Sequence, residues 1–289
     1  MKAMNDYVIF TDTACDIEAS MLHDWGVHFI SMSFSFEDES REYYDRDMEI
    51  TEFYQKMRAG GMAKTAAANP EAYKLAFEEV LKEGRDILHL GLSAALSSSF
   101  SAALSAAEDL RQIYPERKIL LVDTLSASAG EGMLVHLAVQ KRSSGATIEE
   151  NAAYIESIKR NVCHWFVVDD LDYLKKGGRI SPTVAFVGKV LSIKPILHVT
   201  EDGIPINVSK VRGTKAAIKL FADKYAARQL DGGPVFISHA DNMAGVEMLV
   251  RELKSRFGID VDLITHIGTV LGSHTGPGAI AFYFLDKER

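Results

Sequence analysis

The chain has 289 residues, 47% of them hydrophobic and 25% charged. That length exceeds what one hydrophobic core usually organises, so it points to two domains, and the composition is that of a folded protein. The net charge of −8 argues against a general nucleic-acid binder, which carries a basic field.

In chain order, the opening MKAMNDYVIFTD lacks the apolar core of a secretory signal. Tyr7 to Thr11 reads as a short buried strand. Ile17, Met21, Leu22 and Trp25 follow at helical spacing, and Val27 to Phe36 alternates like a single strand. Amphipathic helices are expected at 50–59 and 71–83, with Pro70 in the first turn of the second. Ile87 to Leu92 is a strand, and a Ser/Ala-rich helix leaves through Ala94. The strand Ile119 to Val122 ends at Asp123 and Thr124. Helices at 127–142 and 148–161 come next, the latter with Thr147 and Glu150 as a capping box. This regular alternation implies a parallel sheet covered on both faces. Ligands of such sheets sit beyond the carboxyl ends of the strands.

The pattern changes near residue 163. A strand at 165–168, a short helix stopped by Gly177 and Gly178, and an apolar helix at 183–192 are expected. Residues 195–211 read as a hairpin turning at Glu201-Asp202-Gly203. Helices and strands then alternate to a Gly-rich loop at 268–278 and a last strand, Ala279 to Leu285. The fold class is therefore two-domain α/β, with a parallel sheet at 1–163 and a mixed sheet at 164–289. No run approaches the roughly 20 apolar residues of a spanning helix. The expectation is a cytoplasmic protein without stable membrane insertion. Cys15 and Cys163 fit neither a disulfide scaffold nor a metal cluster, and read as small buried hydrophobes.

Several places can carry chemistry. In LGLSAALSSSFSAA (90–103), Ser93, Ser97, Ser98 and Ser99 crowd the start of a helix, where free N–H groups and a partial positive charge suit a carboxylate or phosphate. A capped, closely packed helix uses the same residues. Gly91-Leu92-Ser93-Ala94-Ala95 also nears the G-x-S-x-G elbow of serine hydrolases, lacking its final Gly, so an acyl esterase using Ser93 is the alternative function. His274 stands among Gly268, Gly272, Gly276 and Gly278; it reads as a carboxylate partner that titrates near neutral pH, or as a structural histidine. Thr65 precedes the Asn69-capped helix and reads as a ligand hydroxyl or a turn residue. Lys175, Lys176 and Arg179 suit a helix C-terminus or an acidic partner. Arg212 ends the hairpin's second strand, where it could neutralise an anion.

Taken together, TDTACDI (11–17), KTAAANP (64–70), LGLSAALSSSF (90–100), VDTLSASAGEG (122–132), LKKGGRIS (174–181), KPILHVTEDG (194–203), KVRGTKAA (210–217) and GSHTGPGAIAF (272–282) resemble the DegV family of fatty-acid-binding proteins. The resemblance spans essentially the whole chain. It implies that the chain is not an enzyme, needs no cofactor, and binds one long-chain fatty acid between an N-terminal domain that supplies hydroxyls and a C-terminal domain that covers the acyl chain. Carried over residue by residue, the carboxylate-binding set is Thr65, Ser93, Ser97, Arg212 and His274. In the fatty-acid-kinase branch of the family, the resemblance gives Arg179 to the interface with a kinase that phosphorylates the bound acid. Thr65-Ala66 stands where the family often has Thr-Ser, and Ser97-Ser98-Ser99 where it commonly has Ser-Gly-Thr.

Overall fold

A computed structural model of the protein describes residues 7–180, 193–230 and 232–287. The helix expected at 183–192 lies outside them. Strand β1 (Tyr7–Asp12) is buried along its whole length, as a strand covered on both faces must be. After a 3-10 turn at Thr13–Cys15 come α1 (Ala19–Asp24), β2 (Val27–Ile30), β3 (Ser33–Phe36), β4 (Tyr43–Tyr44), α2 (Ile50–Arg58) and β5 (Ala63–Ala66). Then follow α3 (Pro70–Lys82), β6 (Asp86–Gly91), α4 (Ser99–Ile113), β7 (Ile119–Asp123), α5 (Ala129–Ser143) and α6 (Ile148–Ile158). Strands β2-β1-β6-β7 form a four-stranded, wholly parallel sheet. The expected capping box of α6 is present: Thr147 Oγ1 accepts from the Glu150 N–H and Glu150 Oε2 from the Thr147 N–H.

Two readings of this half are corrected. Val27 to Phe36 is two strands in two sheets, because the backbone turns out at Met32, whose N–H donates to Thr13 Oγ1 and whose carbonyl accepts from Asp45. The strand β3 instead joins β4 and β5 in a small antiparallel sheet. The serine-rich helix starts at Ser99, not Ala94. Side chains intercept the backbone donors before it: Asp12 accepts from the Leu92 N–H, Asp123 from Ala94 and Ser93 Oγ from Ala95. Such local side-chain bonds compete with helix formation.

The second half begins at β8 (Val162–Val167), followed by α7 (Asp172–Lys176), β9 (Ile193–Val199), β10 (Pro205–Arg212), α8 (Thr214–Arg228), β11 (Phe236–His239), α9 (Met243–Phe257), β12 (Leu263–His266), α10 (Thr269–Thr275) and β13 (Ile280–Leu285). Its sheet has the order β10-β9-β8-β13-β11-β12. The β11–β12 pair is parallel and the other neighbours are antiparallel, so the sheet is mixed, as the hairpin implied. The Gly-rich stretch after 268 is not a loop throughout, since it contains α10.

Helix α5 ties the halves together. Its Met133, Leu134, Val135 and Leu137 share one core with Ile9 and Leu88 of the parallel sheet and with Phe236 and Tyr283 of the mixed sheet. Helices α3 and α4 cover the outer face of the first sheet around Phe77 and Leu110. Helices α8 and α9 cover the outer face of the second around Phe221, Leu249 and Phe282. Among the described residues, no helix is long and apolar enough to cross a membrane.

Candidate functional site

The small sheet, α10 and the segment after α7 converge on one point. Strand β5 alternates, with Lys64 and Ala66 exposed and Thr65 half-buried, as the two-residue period of a strand requires. Thr65 Oγ1 lies 2.9 Å from Nε2 of His274, near the C-terminal end of α10. On α10, Val270, Leu271 and His274 share a face at helical spacing and line the same cavity. The ring is seated against Gly177, where an added Cβ would overlap Nδ1 of His274. This explains the glycine without any demand on its backbone, because its φ of −70° is ordinary.

Arg179 stands beside this pair. Its Nε donates to the Leu96 carbonyl at 3.0 Å and its Nη1 to the Gly177 carbonyl at 2.5 Å. Ser97, half-buried just before α4, accepts from the Ser99 N–H and completes the group. Burial, aided by the nearby Arg179 charge, holds the His274 imidazole down at about 4. The ring is therefore neutral at pH 7, a correction to the near-neutral titration expected from sequence, and the positive charge among these four residues is carried by Arg179.

Thr65, Ser97, Arg179 and His274 form one polar end of a cavity with about 830 Å³ of atom-free space, part of it open to solvent. The rest of its wall is mainly apolar and comes from both halves: Met32, Leu92 and Leu96 from the first, Phe166, Val270 and Leu271 from the second. A cavity of this kind suits a molecule with one polar end and a long apolar body.

The structure separates the other two sequence candidates from this group. Ser93 is fully buried and its Oγ donates to the Gly203 carbonyl at 3.2 Å, pinning the hairpin turn to the first half. A side chain at Gly203 would collide with that hydroxyl, and its φ of +76° also favours glycine. The histidine that an esterase would need faces Thr65 instead. Arg212 is exposed at the end of β10, paired in register with Ile193, and is not among the cavity-lining residues. Arg179, read from sequence as a surface contact, is the arginine in the cavity wall.

Sequence reading missed what holds α10. Two buried carboxylates cap it: Asp16 accepts from the Gly268 N–H at 2.9 Å, and Asp45 from the Thr269 N–H at 3.1 Å and from the Thr269 hydroxyl. Burial raises both carboxyls above the usual range. Asp16 stood in plain view in TDTACDI, but its partner lies 252 positions away, beyond any local pattern. Among the described residues, no group of three or more His, Cys, Asp or Glu could hold a metal ion.

Fold and site together define a class: an α/β protein whose two halves enclose a mainly apolar cavity with a charged, hydroxyl-bearing end. The chain belongs to the DegV family, whose model, described as "Uncharacterised protein, DegV family", matches residues 6–287. A DegV domain-containing protein of Clostridium perfringens is 39% identical over 99% of both chains. The structure of a Thermus thermophilus DegV family protein, described for its fatty acid binding, superposes with a TM-score of 0.85 at 30% identity, covering 97% of this chain and 99% of that one. The Streptococcus pneumoniae Fatty Acid Kinase (Fak) B3 protein, solved loaded with linoleic acid, shares the fold with a TM-score of 0.84 at 21% identity, over 97% and 99% of the two chains. A Thermotoga maritima relative is named a fatty acid-binding protein, and a solved DegV structure from the same organism a lipid binding protein.

Proposed function

We propose that the protein binds one long-chain fatty acid, carboxylate at the Thr65–Ser97–Arg179–His274 end and acyl chain in the cavity, and presents that carboxylate to a fatty acid kinase. The observation that carries the reading is the single arginine set against two hydroxyls and a neutral histidine at one end of an otherwise largely apolar cavity. Arg179 supplies the charge that a carboxylate needs. Thr65 and Ser97 supply hydroxyl donors for charge-assisted hydrogen bonds, and the neutral His274 gives its one N–H, at Nε2, to Thr65 Oγ1, which leaves the Thr65 proton for the carboxylate. Each methylene buried in the cavity adds about 0.8 kcal/mol, so the chain supplies most of the affinity and the head group sets the orientation.

The kinase part rests on the sequence resemblance to the fatty-acid-kinase branch and on the name of the Streptococcus pneumoniae relative. A carrier reading also agrees with Ser93, whose hydroxyl is spent on the Gly203 carbonyl.

Native mass spectrometry of the purified protein, followed by solvent extraction, tests the ligand. One fatty acid per chain is the expected result; a protein that is empty and also refuses added fatty acids would sink the reading. Incubating the loaded protein with a fatty acid kinase and ATP tests the hand-over. Formation of acyl phosphate is expected with the loaded form only, and its absence would leave a fatty-acid binder with another partner.

A further inference from the structure

The end of the cavity farthest from Arg179 carries an inference that rests on the fatty-acid reading above. Strands β8 and β13 are antiparallel neighbours in which Phe166 pairs with Ala281 and His164 with Tyr283. All four side chains line the cavity. β8 runs toward the segment that bears Gly177 and Arg179, and β13 follows closely on the helix that bears His274. The Phe166–Ala281 pair is thus nearer the polar end. The His164–Tyr283 pair lies two residues deeper, about 7 Å further along the strands. Both of its members are buried, and their rings stand edge to face, 5.2 Å apart.

Neither ring has room to retreat. Behind His164 lies the first turn of α5, where a Cβ on Gly130 would overlap Nε2 of the imidazole. Behind Tyr283 runs a row of hydroxyls: Tyr283 Oη is 2.9 Å from Ser238 Oγ, which is 2.9 Å from Ser128 Oγ, which donates to Asp16 at 2.5 Å. A serine has one O–H to give. With Ser128 donating to Asp16, Ser238 can donate to Ser128 and Tyr283 to Ser238, so each hydroxyl of the row has a partner within it.

We propose that His164 and Tyr283 are the floor of the acyl cavity and set the longest chain that the protein accepts. A longer chain would have to leave methylenes outside at the Arg179 end or push the imidazole into α5, and close-packed interiors resist such insertion. The floor can be moved in both directions. His164→Ala deepens the cavity. Gly130→Ala adds a methyl where the imidazole now rests and drives the ring toward the ligand.

Wild type and both variants, delipidated and checked by circular dichroism, are offered an equimolar ladder of saturated fatty acids, and the bound acids are quantified by native mass spectrometry and extraction. His164→Ala should shift occupancy to longer acids, by about fourfold for each newly buried methylene. Gly130→Ala should shift it to shorter ones. The two shifts are read separately, so His164→Ala decides alone if Gly130→Ala does not fold. One acid per chain with the same length distribution as wild type would overturn the floor and leave the fatty-acid reading standing. No acid on any of the three proteins, wild type included, would overturn both.

Discussion

At the scale of single residues, the site turns on His274. Its ring is held by Thr65 on one side and by the bare Gly177 on the other, and burial keeps it neutral. Replacing it with alanine removes the bond that aims the Thr65 hydroxyl at the charged head group; losing a hydrogen bond to a charged group costs about 1.5–3 kcal/mol, or roughly tenfold to a hundredfold in fatty-acid affinity by competition with a fluorescent acid. The same variant has a second signature. The folded-state pKa of about 4 lies below the ordinary 6.5, so the unfolded chain takes up the proton first as pH falls. Stability supplied by the neutral ring is complete above pH 6.5 and is lost as pH drops toward 4, by about 3 kcal/mol. His274→Ala should therefore lose less stability than wild type over that window in urea titrations; equal slopes would contradict a neutral buried ring. The sequence exposed this residue through the glycines around it, and exposed Thr65 because capping by Asn69 left it unexplained. It misplaced Arg212, because strand-end position says nothing about which side chain reaches a cavity assembled from both halves.

At the scale of elements, α10 is the piece that the sequence hid. Its glycines suggested a loop, and two remote carboxylates make it a helix. They satisfy N–H groups at its first turn that no intrahelical carbonyl can reach. Because Val270, Leu271 and His274 all ride on this helix, the caps govern the cavity wall as well as local stability. Asp45→Ala should cost about 1–2 kcal/mol, the upper range for a lost cap, and weaken fatty-acid binding at the same time. Asp45→Asn keeps an acceptor and should recover most of both. Faster amide exchange across 268–275 in the alanine variant is the direct readout; unchanged exchange there would separate the cap from the helix. The elements that were legible in advance, such as β1, α3 and α6, were those fixed by their own residues: an apolar run, Asn69 with Pro70, and Thr147 with Glu150. Strand β5 was not legible, and β3 was read only as the end of one longer strand, since its separation from β2 and its place beside β5 depend on a partner about thirty residues away.

At the scale of the whole molecule, the change of pattern near residue 163 falls within β8, Val162–Val167, and α5 argues that the halves are not energetically separate. One face of this helix fills the core of the parallel sheet and another fills that of the mixed sheet, and the Asp16–Ser128–Ser238 bonds cross between them. Unfolding either half would strip apolar surface from α5 at about 25 cal/mol per Å². The two tryptophans are placed to test this. Trp25 follows α1 and packs near His136 of α5, while Trp165 lies in β8 and stacks on His198. Trp25→Phe leaves a reporter in the second half only, and Trp165→Phe leaves one in the first half only. Coincident urea transitions, after correction for each substitution's own shift in stability, are the expected result of a shared core. Two separated midpoints would show that each half folds by itself. In that case ligand binding would join two independent bodies, and added fatty acid would bring the transitions together by stabilising only the docked form.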